Sequence, residues 1–478
     1  MLFNSFSFAL FVPLFFLLYW FVCQKSLKNQ NALLLLASYF FYSCWDWRFL
    51  LLLVFSTALD YFLGLQIAKT VTDKYRKIWF YSSIGINLSF LGGFKYFDFF
   101  VLSFQNLLLK IGFTVDVFTL NIILPIGISF YTFHGLSYVI DVYKKRIPSE
   151  KNFVDYAVFV SYFPLLVAGP IERATHLLPQ IKRRRNFNYD QAVSGLYQIV
   201  WGLFKKIVIA DNCAHYVNEL FANSSQYSGS ALVMGALFFT FQIYGDFSGY
   251  SDIALGVSRL FGIELLKNFA FPYFSRDIAE FWRRWHISLS SWFKDYVYIP
   301  LGGSKGGRWM QIRNTFIVFL LSGFWHGANW TFLIWGFLNA IYFLPLLLTK
   351  KNRVNLEIVA KHRYLPTWKE SIQMGITFVL TVFAWIFFRA NSITSAVLYI
   401  KGIFKKSLFS VPEVRPTFLI ILIVGFLLVE WLGRKGHFAL DHFRKVGNRF
   451  FRWSFVMLIL VLLFIFGKEE QQFIYFQF

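Results

Sequence analysis

Apolar runs of a length that suits a lipid bilayer recur along this whole chain, and they restrict its fold more than any other feature. A spanning helix needs about 20 mostly apolar residues. Asp, Glu, Lys and Arg make up only 15% of the residues, against roughly 25% in soluble domains. We therefore predict an all-α, polytopic membrane protein, since a helix satisfies its own backbone hydrogen bonds in lipid. The candidate runs are 6–23, 31–45, 47–68, 78–94, 97–113, 190–210, 229–247, 312–330, 331–349, 371–389, 416–433 and 452–467.

The polar connections between these runs are only long enough to form loops, and no internal repeat or soluble segment interrupts them. We predict a single integral membrane domain over residues 1–478. The first run has no basic segment before it and no small-residue cleavage site after it. Those flanks favour a first membrane helix over a removable signal peptide.

The formal net charge of +22 is carried by short basic clusters between the apolar runs, such as 144–146 and 182–185. Clusters of this kind are typical of the cytoplasmic loops of a multi-pass protein in the cytoplasmic membrane, where anionic lipid headgroups attract them. The pattern argues against nucleic acid binding. The three cysteines form no close pair, and no spacing of His, Asp or Glu matches a metal site, so neither a disulfide framework nor a metal centre is predicted.

Two apolar stretches carry residues that break helices. Residues 121–143 contain Pro125, Gly127 and His134, and residues 153–171 contain Pro164 and Gly169. Irregular backbone at membrane depth is tolerated only where protein or a water-filled cavity covers it. We expect one of these stretches to line a solvated cavity and the second to enter the membrane and return. A proline-kinked spanning helix is the alternative.

Residues 268–300 combine aromatic and charged side chains. Ser275 is the predicted N-cap of a helix, with Asp277 in its first turn. An amphipathic helix is predicted from there, lying at an interface or covering a cavity mouth, and a flexible basic loop follows at 300–308. The residues of its apolar face are Trp282, Trp285, His286, Leu289 and Phe293.

Ionisable groups within apolar runs are costly and therefore mark candidate functional sites. His326 lies in an otherwise apolar run, between Gly323 and Gly327, whose bare helix face admits a close neighbour or a substrate. A neutral imidazole there is able to take a proton from a hydroxyl group, or it is a core histidine bonded to a backbone carbonyl. His286 follows two arginines and is also interpretable as an interfacial side chain. The remaining candidates are Asp60, His134, Asp141, Glu172, Arg173, Asp211, Asp246 and Asp252. For Asp246 and Asp252 we favour a structural role, holding a helix break or pairing with a buried arginine.

Several motifs, in this order and spacing, resemble the membrane-bound O-acyltransferase (MBOAT) family, and within it the bacterial branch of the membrane subunit of alginate O-acetylation. The resemblance covers essentially the whole chain. The motifs are residues 3–6, 125–130, 168–171, 245–252, 281–289, 298–303, 324–327 and 473–478.

This resemblance implies about eleven spanning helices, with re-entrant and interfacial helices around a central funnel or tunnel. His326 matches the family's essential histidine, and His286 matches its second recurrent polar position, so both are expected to be catalytic. The implied reaction takes an acetyl group from a cytoplasmic thioester, acetyl-CoA, which is a substrate and not a bound cofactor. The acetyl group then crosses the membrane to a separate extracytoplasmic transferase of the Ser-His-Asp type, which O-acetylates a secreted polysaccharide such as alginate.

Four basic residues are candidates for holding the phosphates of the donor at the cytoplasmic mouth, with contacts to lipid headgroups as the alternative. They are Arg283, Arg284, Lys305 and Arg308. Several other functions remain open at this point. Within the same family, the alternatives are D-alanyl transfer to teichoic acid and O-acetylation of peptidoglycan or cellulose. The others are a polytopic transporter and a non-enzymatic scaffold of an exopolysaccharide synthase.

Overall fold

A computed structural model describes residues 1–167, 169–443, 446–467 and 471–476. Every regular element within these ranges is helical, which confirms the predicted all-α class. The chain folds as two compact units, Met1–Ala192 with Val257–Leu266, and Val193–Gly256 with Lys267–Phe478. Ala168 of the predicted 168–171 motif, and Gln477 and Phe478 of the predicted 473–478 motif, lie outside the described residues.

The first unit holds nine helices among the described residues. Ser5, Ser26 and Asp46 cap three of them, each side chain accepting a main-chain N–H of the first turn, as short polar residues do at helix starts. The helices are α1 (Phe6–Leu17), α2 (Leu27–Ser43), α3 (Trp47–Lys69), α4 (Asp73–Leu91), α5 (Phe97–Lys110), α6 (Ile128–Tyr143), α7 (Phe153–Ser161), α8 (Phe163–Leu166) and α9 (Ala174–Ile181). Stretches of π-helix at Leu18–Val22 and Gly92–Tyr96 follow α1 and α4.

The predicted broken backbone is present in this unit. Residues 111–127 form no regular helix, and α6 then begins after Gly127 at φ +76. The 153–171 stretch divides into α7 and α8, which are buried from Asp155 onwards. A single proline-kinked helix is therefore the wrong interpretation of 153–171. That this stretch enters the membrane and returns stays a prediction.

The second unit holds α11 and α13 to α20, with most of α10 and α12. The helices are α10 (Tyr189–Leu203), α11 (Asp211–Ala222), α12 (Gly229–Leu260), α13 (Ile278–Arg284), α14 (Ile287–Phe293), α15 (Gly307–His326), α16 (Trp330–Leu348), α17 (Trp368–Arg389), α18 (Ile393–Ile403), α19 (Thr417–Gly433) and α20 (Arg449–Phe466). Stretches of π-helix occupy Phe204–Ala210 and Lys294–Tyr298, and 3₁₀ turns occupy Ser224–Gln226, Pro272–Phe274, Lys406–Phe409 and Ile474–Phe476.

Six helices of the described residues are long and apolar enough to cross a bilayer, which makes this a multi-pass membrane protein. They are Trp47–Lys69, Tyr189–Ala222, Gly229–Leu260, Trp330–Leu348, Trp368–Arg389 and Arg449–Phe466. Three shorter apolar helices, Phe6–Val22, Ile393–Ile403 and Thr417–Gly433, add to them. Large apolar side chains face outward on these helices, as Phe464 does at 85% exposure. The predicted number of about eleven spans stays a prediction.

Helices α15 and α16 form a close hairpin because glycines stand where they cross. A Cβ atom on Gly323 would lie 2.3 Å from the carbonyl oxygen of Phe332, and one on Gly336 would lie 2.4 Å from that of Phe319. The predicted bare face at Gly323 thus receives another helix. The predicted run through residue 330 is wrong, because α15 ends at His326 and Gly327 is extended, with φ −165.

The predicted single amphipathic helix in 268–300 is also wrong. Two short helices, α13 and α14, are separated at Trp285 and His286, where His286 adopts a left-handed φ of +42. Asp277, not Ser275, caps α13 by accepting the main-chain N–H of Glu280. Most of both helices is buried inside the second unit instead of lying on a surface.

Candidate active site

His326 is the last residue of α15 and is 3% exposed. Four aromatic rings surround its imidazole, with centroids at 5.0 Å (Trp325), 5.3 Å (Trp335), 5.3 Å (Phe388) and 5.5 Å (Tyr475). The α15–α16 hairpin brings Trp335 across from the histidine, and α17 supplies Phe388. Aromatic side chains therefore enclose the imidazole, and we refer to this group of four rings as the histidine chamber.

His286 is 1% exposed and lies at the break between α13 and α14. Its Nδ1 atom is 3.0 Å from Oδ1 of Asn268, and the ring of Phe247 packs edge-on against it at 4.6 Å. Neither α13 nor α14 is among the helices suited to cross a membrane. Burial lowers the pKa of His286 to about 3, because a low-dielectric site disfavours the charged imidazolium. The imidazole is therefore neutral near pH 7.

The structure brings the two predicted histidines together. Their ring centroids lie 6.2 Å apart, and Trp325 contacts both imidazoles, at 5.9 Å from His286 and 5.0 Å from His326. Among the described residues, Nε2 of His286 is buried without a hydrogen-bond partner. A pair of buried imidazoles with one ring nitrogen open is suited to move a proton to or from a small reacting group.

Tyr475, from the chain's C-terminal segment, lies against both His326 and Phe247, with ring centroids 5.5 Å and 4.5 Å away. Phe473 stacks beside it and is fully buried. Sequence reasoning used the aromatic ending only for the family resemblance and missed its place at the site. The available signal was the high density of aromatic residues in a terminal segment that follows an apolar run.

Buried ion pairs hold this segment and the neighbouring helices. Lys206, 1% exposed, contacts carboxylate oxygens of Asp246 at 2.8 Å and Asp211 at 2.7 Å. Lys205 pairs with Asp252 at 2.5 Å. The predicted structural role of the two aspartates in 245–252 agrees with these contacts. The partners are lysines and not an arginine, and α12 runs unbroken through both positions.

Two of the four predicted phosphate ligands are engaged with the chain itself. Arg284 donates to Oε1 of Glu280 at 2.7 Å, and both residues are buried. Arg283 donates to the carbonyls of Asn352 and Asn355, each at 2.8 Å. The Arg283 contacts tie α13 to the loop after α16, and the Arg284 contact lies within α13. Both guanidinium groups are therefore occupied by the chain, which favours a structural role for these arginines over a role at a donor site. Lys305 and Arg308 stay exposed beside Gly306 and Gly307, both at positive φ.

A cavity of about 450 Å³ opens in the second unit beside α15. Its apolar wall includes Phe319, and three exposed cations stand at its rim: Lys294, Lys350 and Arg353. Successive ring contacts link this wall with the histidine chamber, from Phe319 to Trp282 (5.4 Å), to Trp335 (5.6 Å) and to His326 (5.3 Å). Phe319 precedes His326 by seven residues on α15, or about 10 Å along the helix axis. Ser290, Lys294 and Tyr298 of the 268–300 segment line this cavity, in agreement with the cavity mouth that the sequence offered as one alternative there, but the contribution of α15 and α16 was not predicted.

The other ionisable candidates lie in the first unit and bond to near neighbours. Asp60 accepts hydrogen bonds from Ser83 at 2.8 Å and Asn87 at 2.9 Å. The buried Glu172 pairs with His176 at 2.8 Å and accepts the main-chain N–H of Leu266 at 2.6 Å. These contacts are those of structural polar clusters. Within the described residues, no group of three or more His, Cys, Asp or Glu side chains is arranged to hold a metal ion.

Comparison with known proteins gives a consistent result. Residues 142–384 match the family model described as MBOAT, membrane-bound O-acyltransferase family. The chain is 40% identical over 433 residues to the peptidoglycan O-acetyltransferase of Helicobacter pylori, covering 84% of this chain and 79% of that protein. It is 39% identical over 430 residues to the probable alginate O-acetylase AlgI of Pseudomonas aeruginosa, covering 90% and 79%. A more distant similarity, 28% over 281 residues, relates it to the teichoic acid D-alanyltransferase of Bacillus subtilis, covering 56% and 69%.

Proposed function

The chain belongs to the membrane-bound O-acyltransferase family and is an O-acyltransferase, and from that membership we propose that it passes acetyl groups from cytoplasmic acetyl-CoA across the membrane for O-acetylation of a secreted polysaccharide. The observation that carries this proposal is the pair of buried imidazoles, His286 and His326, with 6.2 Å between ring centroids in one aromatic chamber. Membership also removes the transporter and the non-enzymatic scaffold as interpretations of the chain.

His326 is the proposed general base. It takes the proton of the acceptor hydroxyl as the oxygen attacks the thioester carbonyl. The tetrahedral intermediate then collapses to the O-acetyl ester and expels the coenzyme A thiolate, which recovers the proton from the imidazolium of His326. A thioester is already activated, so positioning and deprotonation are the main tasks, and a placed base contributes typically about 10²–10⁴-fold. His286, which is neutral near pH 7, lies across the chamber and assists His326 in this proton transfer.

The cavity beside α15 is the proposed entrance for the donor. Its rim carries Lys294, Lys350 and Arg353, which suits the phosphates of a coenzyme A nucleotide, and its apolar wall leads towards His326 by the ring contacts described above. Lys305 and Arg308, exposed on the adjoining loop, remain candidates for the same task. Arg283 and Arg284 are not included, because their guanidinium groups bind Glu280 and main-chain carbonyls.

The proposed receiver of the acetyl group is a separate extracytoplasmic transferase of the Ser-His-Asp type, which then modifies the polymer. Relatives at 39% and 40% identity are named for alginate and for peptidoglycan, so the acceptor class is a secreted glycan of either kind. D-alanyl transfer is the weaker candidate, because the relative named for it matches only 56% of this chain at 28% identity.

The experiment uses inside-out membrane vesicles and acetyl-CoA labelled in its acetyl group. Wild type and His326→Ala are expressed to equal levels, with His362→Ala as a matched control because that histidine lies exposed in the 350–367 loop. Coenzyme A release and label reaching extracytoplasmic glycan or protein are followed with and without a co-expressed extracytoplasmic transferase of the Ser-His-Asp type.

Label transfer by wild type and His362→Ala, with a loss of at least about 100-fold in His326→Ala, is the expected result. The labelled product identifies the receiver. Equal transfer by His326→Ala and wild type would show that His326 is structural and would overturn the mechanism. Failure of wild type to use acetyl-CoA, even with the transferase present, would overturn the proposed donor.

A further inference from the structure

Asn268 is a buried amide that contacts His286 and has no role in the function proposed so far. It is 1% exposed and stands in the segment that precedes α13. Its side chain contacts three polar groups, Nδ1 of His286 at 3.0 Å, Oγ of Ser288 at 2.8 Å and Oγ of Ser251 at 3.2 Å. A buried amide with this many partners has its orientation restricted from several sides.

The main chain ties the same two segments together. The N–H of Ile287 donates to the carbonyl of Asn268 at 2.9 Å, and the N–H of Ala270 donates to the carbonyl of Arg284 at 2.9 Å. These two bonds bracket His286, whose φ of +42 is left-handed. A non-glycine residue in that conformation costs of order 1 kcal/mol or more, and it persists where the surroundings hold it. The backbone at His286 is therefore held in place by its bonds to the 268–270 segment.

The orientation of the Asn268 amide decides which ring nitrogen of His286 carries the hydrogen. In the structure, Nδ2 of Asn268 donates to Oγ of Ser251, and Oδ1 faces His286 and Ser288. A carbonyl oxygen only accepts, so Nδ1 of His286 must carry the hydrogen. In a neutral imidazole the other nitrogen then holds a bare lone pair. That atom is Nε2, which is buried without a hydrogen-bond partner among the described residues.

We propose that Asn268 is a positioning residue that locks His286 in the Nδ1–H tautomer, so that Nε2 presents its lone pair within the chamber shared with His326. The tautomer rests on the orientation of the Asn268 amide in the structure, whereas its use in proton transfer rests on the proposed function. The choice of an amide has a chemical reason. A carboxylate would select the same tautomer, but it would also stabilise the imidazolium, so that the lone pair would be lost at a higher pH than in the wild type.

The first test reads the tautomer and does not depend on activity. The full-length protein is labelled with ¹⁵N-histidine, and the His286 ring nitrogens are assigned by comparison with His286→Gln. Wild type and Asn268→Asp are expected to show a protonated Nδ1 and an unprotonated Nε2 at pH 8, and Asn268→Ala is expected to lose that preference. An unprotonated Nδ1 in wild type, or an unchanged spectrum in Asn268→Ala, would overturn the proposal.

The second test measures acetyl transfer as a function of pH. Asn268→Ala is expected to lower kcat about tenfold to a hundredfold with an unchanged KM for acetyl-CoA, by analogy with the range found when a residue that orients a metal-binding histidine is removed. Asn268→Asp is expected to recover activity at high pH and to gain an acid limb, because a carboxylate next to an imidazole raises its pKa by about one to three units. Asn448→Asp, the same change at the N-cap of α20, is the matched control and should keep the wild-type profile.

The two proposals fail in different ways. Inactivity of wild type towards acetyl-CoA would count against the proposed function, and the tautomer measurement would still decide the role of Asn268. Active wild type with an unshifted pH profile in Asn268→Asp would overturn the positioning role alone. Both Asn268 variants are first checked for a monodisperse elution profile in detergent, and Asn268→Asp, nearly the same size as the native side chain, keeps the test valid if Asn268→Ala does not fold.

Discussion

The main-chain N–H of Ile474 donates a 2.6 Å hydrogen bond to Oδ2 of Asp246, across 228 residues of sequence. The same carboxylate binds Lys206 through its second oxygen at 2.8 Å, and Lys206 also donates to the carbonyl of Gln471 at 3.0 Å. Two buried charges in the α10–α12 region thus hold the C-terminal segment at Gln471 and at Ile474. Because the segment is held there, the ring of Tyr475 packs against the imidazole of His326.

Replacing Asp246 with Ala should free the C-terminal segment. The change removes the acceptor for Ile474 and half of the charge that balances Lys206. Breaking a buried pair from one side costs about 3–5 kcal/mol. Carboxypeptidase digestion in detergent should therefore remove the last residues from Asp246→Ala much faster than from wild type. Asp73→Asn, at an exposed carboxylate of α4, is the control, and equal digestion of Asp246→Ala and wild type would contradict the anchoring role.

Gly323→Ala should destabilise the protein and lower acyl transfer. The added Cβ would meet a backbone oxygen at 2.3 Å, and backbone does not give way as a flexible side chain does. Overpacking of this kind costs typically about 1–3 kcal/mol. Gly375→Ala in α17 is the matched control, since nothing lies within 4 Å of its added Cβ and alanine is the better helix former. Thermal unfolding should show a lower Tm for Gly323→Ala and an unchanged or higher Tm for Gly375→Ala, and a reversed order would refute the close packing.

Stability should fall with acidification partly because of His286. The folded-state pKa is lowered to about 3 by burial, below the value of about 6.5 in an unfolded chain. The unfolded state therefore binds the additional proton between these two values, so the stability from a neutral His286 is complete above about pH 6.5 and is lost as the pH falls towards 3. The Tm of wild type minus that of His286→Gln should shrink between pH 7.5 and pH 4.5. A constant difference would mean that His286 is not buried in the neutral form.

Removing charge at the rim of the 450 Å³ cavity should weaken donor binding without slowing the chemical step. Lys294→Gln combined with Arg353→Gln removes two of its three cations. The KM for acetyl-CoA should rise about tenfold, the equivalent of roughly 1.4 kcal/mol, with little change in kcat, the signature of lost uniform binding. Lys401→Gln, an exposed lysine of α18, is the control. An unchanged KM in the double variant would place the donor elsewhere.

Membrane residence and helical class follow from the order of the residues along the chain. Apolar runs between short basic loops leave lipid as the only suitable solvent, and lipid requires backbone hydrogen bonds to be made within helices. The same linear information identified both histidines as candidates. His326 lies in an apolar run, where burying an ionisable side chain is costly, and His286 lies in the 281–289 motif that resembles the family. Glycine at 323 likewise indicated a close helix neighbour before that neighbour was known.

The sequence alone could not predict which segments, distant along the chain, come into contact. Helical periodicity carried one amphipathic helix through residues 285 and 286, whereas bonds from Asn268 and Ala270 hold the backbone there in a left-handed turn. Arg284 resembles a phosphate ligand until Glu280 and the carbonyl of Ala270 are found beside its guanidinium. The nearness of His286 to His326, the arrival of Tyr475 and the tautomer set by Asn268 all depend on side chains far apart in sequence. Packing in three dimensions brings them together, because periodicity and propensity act only over a few neighbouring residues.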